Sequence, residues 1–305
     1  MYLIDFFKRL TQKSNIPIII YLVMNIFLIA FVILELFAVS GWMAILLGVV
    51  LYGVSLAIAL SPLGEWILRL QTGCRKIKRM DQLQFLEPIF KEVYSKAKQQ
   101  EPTIPDDVQL YINDDECPNA FATGRKTICV TEGLLHMPPA QIKATLGHEF
   151  GHLAHKDTDM ILLVSVGNLI VNTIILGVRL VIEFFNLIFT FITGLFKGFD
   201  FGLSSLAKSL YHFMIVAIVS GLTWIWTKIG ILLVMKSRRA NEYEADKFSY
   251  ELGYGDDLCA LLDNVSGSKP KGLFANLVST HPKNDDRINR LQELGTTYRR
   301  QYGKQ

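Results

Sequence analysis

The chain has 305 residues, of which 50% are hydrophobic and 19% charged, and its net charge at pH 7 is +3. Globular domains carry about 25% charged residues, and the apolar residues here fall in long runs, so the composition favours a membrane protein over one large soluble core. The small net charge implies no strongly basic surface and no nucleic-acid partner. Four widely spaced cysteines without a CxxC pair predict reduced thiols in a cytosolic compartment, not zinc ligands.

Two apolar runs open the chain. Residues 16–39 and 42–60 are each long enough to cross a bilayer, which takes roughly 20 residues. Because the link between them is only Ser40-Gly41, we expect a tight transmembrane hairpin over residues 1–62. The first run is too long for the core of a signal peptide and has no small-x-small cleavage site, so it should remain as an anchor.

Two more apolar runs follow later in the chain. Residues 160–196 are longer than one span and contain Arg179 and Glu183, which are four residues apart and can pair on a helix. The simplest interpretation is a span at 160–178 followed by an interfacial stretch. The fourth run, residues 213–235, carries only Lys228, which can reach the interface from near one end. We therefore predict about four transmembrane helices, the second hairpin occupying residues 160–235.

Positive charge assigns the sides of the membrane, because cytoplasmic loops are rich in lysine and arginine. Such residues precede the first run and follow the second and fourth: Lys8, Arg9, Lys13, Arg69, Arg75, Lys76, Lys78, Arg79, Lys236, Arg238 and Arg239. We expect all of these segments to face the cytoplasm, with residues 75–79 as a juxtamembrane anchor and not a nucleic-acid patch. A soluble domain is then built from residues 63–159 and 236–305.

The soluble segments show helix and strand patterns in chain order. Residues 82–100 read as an amphipathic helix, and residues 108–113 and 127–135 as strands on either side of a turn-rich segment. Pro138-Pro139 begins a helix that runs through Ala154. Residues 240–252 form a further helix that ends at Gly253, and residues 288–294 form a short last one. The fold class is therefore a mainly α membrane protein with an α+β domain on the cytoplasmic side.

The stretch GHEFGH carries the clearest chemistry. His148 and His152 are four apart on the predicted helix, so both imidazoles project from one face and can hold one Zn²⁺. Glu149 lies beside them, where it can act on a water molecule at the metal. Gly147 and Gly151 leave the helix thin and let another element pack closely.

A catalytic zinc site needs a third protein ligand. A metzincin would have a histidine at position 158, and this chain has Thr158. A glutamate on a second helix is the alternative, and the segment 237–253 offers Glu242 and Glu244, between which spacing gives only a modest preference for Glu242. Asp246 shares a face with Glu242 and can bond the free ring nitrogen of a histidine ligand. His155 lies near the same face as the zinc histidines and is expected to pack beside the site or at an interface, with metal binding as the alternative. His136 and His212 are expected to be unrelated to it.

The ligands also constrain topology. His148 and His152 precede the third apolar run, and Glu242 follows the fourth. Since all three must meet at one metal, the chain crosses the bilayer an even number of times between them. Two crossings place the zinc close to the membrane surface.

These motifs resemble a known family. HExxH followed by a distant ExxxD, with PNAFATG at residues 118–124 and STHPKNDDRINRL at residues 279–291, is similar to the membrane zinc metallopeptidases of the HtpX and CAAX prenyl endopeptidase group. The chain length and the two spans on either side of HExxH resemble the HtpX branch.

The resemblance implies a gluzincin-like zinc-peptidase fold with one Zn²⁺ per chain and Glu242 as its third ligand. It implies that His281 stabilises the oxyanion, the alternative being a capping or surface histidine. It also implies that Asn119, Ala120, Phe121 and Ala122 form an edge strand that binds extended substrate. Arg287 is expected to bind Asp246 or another site carboxylate, with a plain surface arginine as the alternative.

The function expected from these features is a zinc metalloendopeptidase of the bacterial plasma (inner) membrane. Its partners are the lipid bilayer and protein or peptide substrates. The resemblance to the HtpX branch implies the removal of misfolded or damaged membrane proteins. A dedicated processing peptidase with a CAAX-like substrate is one alternative, and a non-catalytic scaffold or sensor with a structural metal is another.

Overall fold

A computed structural model of the chain describes residues 16–156, 158–197, 199–265 and 283–299. The described residues are mainly helical, with one three-stranded sheet. They fall into two compact units, each made of separate stretches of the chain. Of the described residues, the sheet-containing unit holds mainly 60–162, 233–265 and 283–299, and the helical unit holds those within 17–59 and 163–232.

The helical unit contains the helices that can cross a membrane. Helix α1 (Ile16–Phe37) and helix α2 (Gly41–Ala59) form the predicted hairpin, and Gly48 lets α2 approach the Ala30 backbone closely, since an added Cβ would lie 3.2 Å from the Ala30 nitrogen. A third stretch, Thr158–Thr193, is helical throughout and long and apolar enough to span. It is longer than the predicted span at 160–178. The fourth run is represented by a shorter apolar helical stretch, Gly221–Val234.

Polar side chains inside the helical unit bond to one another. The Asn25 amide donates to the Asn168 oxygen at 2.7 Å, and Trp226 donates to the Asn25 oxygen at 3.0 Å. The predicted pair of Arg179 and Glu183 is confirmed, with an N–O distance of 2.7 Å. Arg179 also donates to the Leu36 carbonyl at 3.0 Å. That carbonyl lies in the last turn of α1, where helix carbonyls have no intrahelical donor, so the arginine caps a helix end inside the apolar run.

The sheet-containing unit begins with helix α3 (Pro62–Gln71) and helix α4 (Met80–Gln100). Its strands are β1 (Gln109–Asn113), β2 (Ala120–Thr123) and β3 (Thr127–Thr131). The strand order is β1-β3-β2, with β3 parallel to β1 and antiparallel to β2. Strand β2 is therefore an edge strand of the described sheet. Sequence analysis placed it inside a turn-rich segment, and the family resemblance alone indicated a strand there.

The third strand is shorter than predicted. It ends at Thr131, and Glu132–His136 form a 3-10 helix in place of the expected strand extension. The chain bends here because Gly133 lies against the segment that leads into β2, and a Cβ at Gly133 would lie 2.0 Å from the Glu116 carbonyl oxygen. A continued strand cannot make that contact.

Helix α5 (Pro139–Ala154) has the predicted start and end. It packs on α4, where Phe90 and Tyr94 contact Phe150 with ring centroids 5.6 and 5.4 Å away. The short helix α6 (Thr158–Ile161) and a π-helical turn (Leu162–Val166) lead into α7 (Gly167–Lys197). The core of the unit thus holds α5 between α4 and the sheet.

Helix α8 (Phe199–Ser249) is continuous over 51 residues. The expected separate helix at 240–252 is its last part, followed by a π-helical turn (Tyr250–Tyr254) in which Gly253 takes a positive φ of 88°. Helix α9 (Gly255–Val265) and helix α10 (Asn284–Glu293) complete the described structure. Helix α10 corresponds to the short last helix expected from the sequence.

Candidate metal centre

The centre is built where two helices approach unusually closely. Gly151 on α5 faces Ala245 on α8, and a Cβ at Gly151 would lie 2.8 Å from the Ala245 Cα. Gly147, one turn earlier, faces the Ser249 hydroxyl, which donates to the Ala144 carbonyl at 2.9 Å. The two glycines thus permit the close packing expected from the sequence. As a result Glu242, one turn before Ala245, lies beside the two histidines of α5.

Three potential ligands converge in this position. The Nε2 atoms of His148 and His152 are 3.2 Å apart. The two carboxylate oxygens of Glu242 lie 3.5 Å from the His148 Nε2 and 3.4 Å from the His152 Nε2. All three side chains are buried, and one ligand atom from each lies within 4.8 Å of the others. Two imidazoles and one carboxylate that point at a shared space are the ligand set of a catalytic zinc site, so the residues fit the metal that the motif predicts.

A buried ion pair supports the first histidine. The Asp246 carboxylate lies 2.8 Å from the His148 Nδ1, which leaves Nε2 directed at the other ligands. Arg287 donates two hydrogen bonds to Asp246, at 2.8 and 2.5 Å, and is only 5% exposed. Burial works against the charged form of Asp246, but the guanidinium outweighs it and holds the pKa of the carboxyl well below its usual range. Arg287 therefore lies in the site and not on the surface.

The pKa of His148 is also perturbed. Burial opposes its charged form, but hydrogen bonds to Asp246 and Glu242 outweigh that effect and raise the pKa of the imidazole. The same two carboxylates therefore fix the orientation of this ring and supply the negative potential that attracts a cation to the site.

Glu149 joins the centre to the sheet. Its side chain is buried, and its Oε2 accepts a hydrogen bond of 2.6 Å from the backbone N–H of Ala122 on β2. This N–H points away from β3, so Glu149 lies along the outer edge of the edge strand. A carboxylate placed between a three-ligand cluster and an open strand edge can exchange protons with groups bound at either.

Comparison with known proteins agrees with this arrangement. The sequence model of Peptidase family M48 matches residues 82–295, which is more than half of the chain. The chain belongs to peptidase family M48. Its matched segment contains the five site residues of α5 and α8 together with Arg287. The chain is an HtpX-type member of the family, integral to a membrane.

Several curated M48 relatives are similar to the chain. A "Protease HtpX homolog" of Acaryochloris marina is 26% identical over 277 residues, which cover 81% of this chain and 85% of the relative. The "Protease HtpX" of a Psychrobacter species is 26% identical over 261 residues, or 76% and 78% of the two chains. A "Protease HtpX homolog" of Tropheryma whipplei is 27% identical over 223 residues, or 62% and 67%.

The residues expected to bind substrate in this M48 peptidase lie along β2. Asn119 precedes the strand, and its N–H donates to the Thr131 hydroxyl at 2.8 Å. Ala120, Phe121 and Ala122 pair with β3 through Val130, Cys129 and Ile128. The backbone of the segment is thus ordered on one side by β3, and its other side faces Glu149.

The remaining candidates lie outside the cluster or outside the described residues. Glu244 is exposed, in contrast to the buried Glu242. His155 contacts Phe248 with ring centroids 6.4 Å apart, and His136 is exposed. His281 falls outside the residues that the structure describes, as does the side chain of His212.

The partner of Glu149 has no signal in the sequence. The donor is a backbone amide, which every residue except proline carries, so no residue type marks it. The family resemblance of residues 118–124 gave the only indication of a strand near α5.

Proposed function

We propose that the chain is a zinc metalloendopeptidase that hydrolyses peptide bonds in proteins. His148, His152 and Glu242 would hold one zinc ion per chain, and Glu149 would act as the general base. The observation that carries the proposal is the position of Glu149, which is buried beside the three ligands and bonded to the edge of β2. A metal site with a purely structural role needs no such carboxylate.

The chemistry follows from these positions. Zinc bound there would act as a Lewis acid toward the scissile carbonyl and the attacking water. Glu149 takes the proton of that water and delivers it to the leaving amine, acting first as base and then as acid. Asp246, held by Arg287, keeps His148 in the tautomer that presents Nε2 to the metal. His281 remains the proposed oxyanion donor on the strength of the family resemblance alone.

Substrate binding by strand addition suits this site. Asn119, Ala120, Phe121 and Ala122 belong to a segment whose outer edge faces Glu149. A peptide that pairs with this edge is recognised mainly through its backbone, so many sequences can bind. Such tolerance suits an enzyme that removes misfolded or damaged membrane proteins, and it supports that role over processing of one dedicated substrate.

The proposed location is the plasma (inner) membrane of a bacterium, with the site on the cytoplasmic side. Three helices that are long and apolar enough to span support membrane insertion. The excess of lysine and arginine after the second and fourth apolar runs supports the cytoplasmic orientation. A CAAX-like processing peptidase has the same chemistry, and only its substrates distinguish it.

The test compares Glu149→Gln with the wild type, both purified in detergent. The variant should keep about one zinc per chain and lose cleavage of an unfolded, casein-like protein, because glutamine cannot accept the proton. Glu242→Ala should lose zinc, whereas Glu244→Ala, the matched exposed control, should keep both zinc and activity. Normal cleavage by Glu149→Gln would refute the mechanism, and zinc without any cleavage in the wild type would favour the scaffold alternative.

A further inference from the structure

The loop between β2 and β3 is held by side chains that the proposed reaction does not use. This loop, Gly124-Arg125-Lys126, closes the hairpin whose first strand carries the edge that faces Glu149. Gly124 takes a positive φ of 63°, which favours glycine. The loop therefore determines the orientation of β2 relative to β3 and the position of the outer edge of β2.

Helix α3 holds the loop from one side. The Glu65 carboxylate accepts a hydrogen bond of 3.0 Å from the Arg125 N–H. It lies so close that a Cβ at Gly124 would be 2.9 Å from the Glu65 Cγ. Arg69, one turn later, donates to the Thr127 hydroxyl at 3.1 Å and lies 3.6 Å from Glu65. Two residues of α3 thus bind the loop, one through the backbone of Arg125 and the other through the side chain of Thr127.

Helix α6 holds the same loop through other atoms. The Thr158 hydroxyl donates a hydrogen bond to the Gly124 carbonyl. Asp159, which is fully buried at 0% exposure, lies 3.4 Å from the Arg125 Nε. The loop is thus bound at three groups: Thr158 binds the Gly124 carbonyl, Glu65 binds the Arg125 N–H, and Asp159 contacts the Arg125 side chain.

The burial of two carboxylates around one turn is costly. An ionised carboxylate loses much of its hydration when it is buried, and its partners recover that free energy only in well-ordered geometry. The third loop residue shows a different arrangement, since Lys126 pairs with Asp107 at 2.7 Å in an exposed surface contact. The buried contacts are therefore concentrated on the part of the loop that follows β2.

We propose that Glu65, Thr158 and Asp159 are positioning residues that hold the β2–β3 hairpin so that the outer edge of β2 stays at Glu149. The inference rests on the proposed function, because it assigns these residues to substrate binding by β2. In the chain, α3 follows the second apolar run, and α6 is the first part of the third apolar stretch, Thr158–Thr193. The position of β2 therefore depends on α3 and α6, two segments that adjoin or begin apolar stretches of the chain.

The experiment uses the full-length, zinc-loaded protein in detergent micelles. Thr158→Val and Glu65→Ala should raise the KM for an extended fluorogenic peptide roughly tenfold, the effect of losing one hydrogen bond of about this strength. Their kcat and zinc content should stay within about twofold of the wild type, because no group at the metal changes. Thr158→Ser keeps the hydroxyl and should keep the wild-type KM, and Asp107→Asn is the matched control on the exposed side of the loop.

Hydrogen exchange gives a readout that does not depend on activity. In Thr158→Val the amides of β2 should exchange faster than in the wild type, while those of α5 should not change. The proposal is overturned if Thr158→Val shows the same KM and the same rate of hydrogen exchange in β2 as the control Asp107→Asn. It is also overturned if kcat, zinc content and KM all deteriorate together, since that indicates general loss of structure. If the wild type cleaves nothing, the proposed function fails, and β2 exchange alone decides whether these residues hold the strand.

Discussion

Replacing Gly151 with alanine tests how closely two helices must approach to form the metal centre. The new Cβ would lie 2.8 Å from the Ala245 Cα and 3.1 Å from its Cβ, whereas ordinary contact begins at 3.4 Å. The helices α5 and α8 must therefore separate locally by the difference, about 0.6 Å. The nearest atom belongs to the backbone, so no change of side-chain rotamer relieves the overlap.

The separation acts on a proposed metal ligand. Glu242 lies one turn before Ala245 on the same helix, so it moves with that helix. Zinc–ligand distances vary by only about 0.2 Å, so the displaced carboxylate no longer fits beside His148 and His152. We expect the affinity for zinc to fall by about 10- to 100-fold and the free energy of unfolding to fall by about 1–3 kcal/mol.

The assay is competition between the purified protein and a zinc chelator, followed by measurement of the zinc-to-protein ratio. Gly147→Ala is the matched control, because the same helix gains the same side chain. The nearest atom there is the side-chain hydroxyl of Ser249 at 3.0 Å, which can rotate away at the cost of its one hydrogen bond to Ala144, without moving the backbone of α8. This control should bind zinc nearly as well as the wild type. Wild-type affinity in Gly151→Ala would show that this helix contact does not set the position of Glu242.

Contacts around the centre give three further tests. Arg287→Leu removes the guanidinium from the buried Asp246 charge and leaves it only His148, so it should lower the free energy of unfolding by about 3–5 kcal/mol. Adding Asp246→Asn should recover part of that loss, and an unchanged loss in denaturant unfolding would contradict the pairing. Gly133→Ala should prevent normal folding, because its Cβ would lie 2.0 Å from the Glu116 carbonyl oxygen, and a wild-type thermal unfolding curve would be inconsistent with this path of the chain. Burial raises the pKa of Glu65, so its contribution to stability is complete below the unfolded pKa of about 4.3 and is lost as pH rises through the folded value. Glu65→Gln should remove this pH dependence. If the difference in free energy of unfolding between the wild type and the variant stays constant across that pH range, the prediction is wrong.

Helix α5 was predictable because the residues that indicate it are close together in the sequence. Pro138-Pro139 begins α5, and the spacing of His148 and His152 requires one helical face. The choice between Glu242 and Glu244 is not local. It depends on which face of α8 meets α5, and that face is set by the contact of Gly151 with Ala245. Spacing therefore gave only a modest preference for Glu242, and the family resemblance implied it as the third ligand.

Elsewhere, the polarity of the sequence was a poor guide to the path of the backbone. The change from apolar to charged residues near 236 predicted a helix that begins at 240, but α8 is continuous. Residues 231–252 contain no glycine or proline, so no residue there breaks the helix. The strand β3 shows the opposite error: residues 132–135 were predicted as strand, but packing of Gly133 against Glu116 turns the chain. Long-range packing decided the second case, whereas the continuity of α8 follows from the lack of a helix-breaking residue.

The outer side of β2 also affects how copies of the protein behave toward one another. A bare strand edge readily joins other chains into a growing ladder, which leads to aggregation. Here the strand has only four residues, and the Ala122 N–H is already bonded to Glu149. The Glu149 carboxylate thus reduces the number of free backbone groups with which a second copy could pair. A peptide that displaces the carboxylate can bond to the Ala122 N–H.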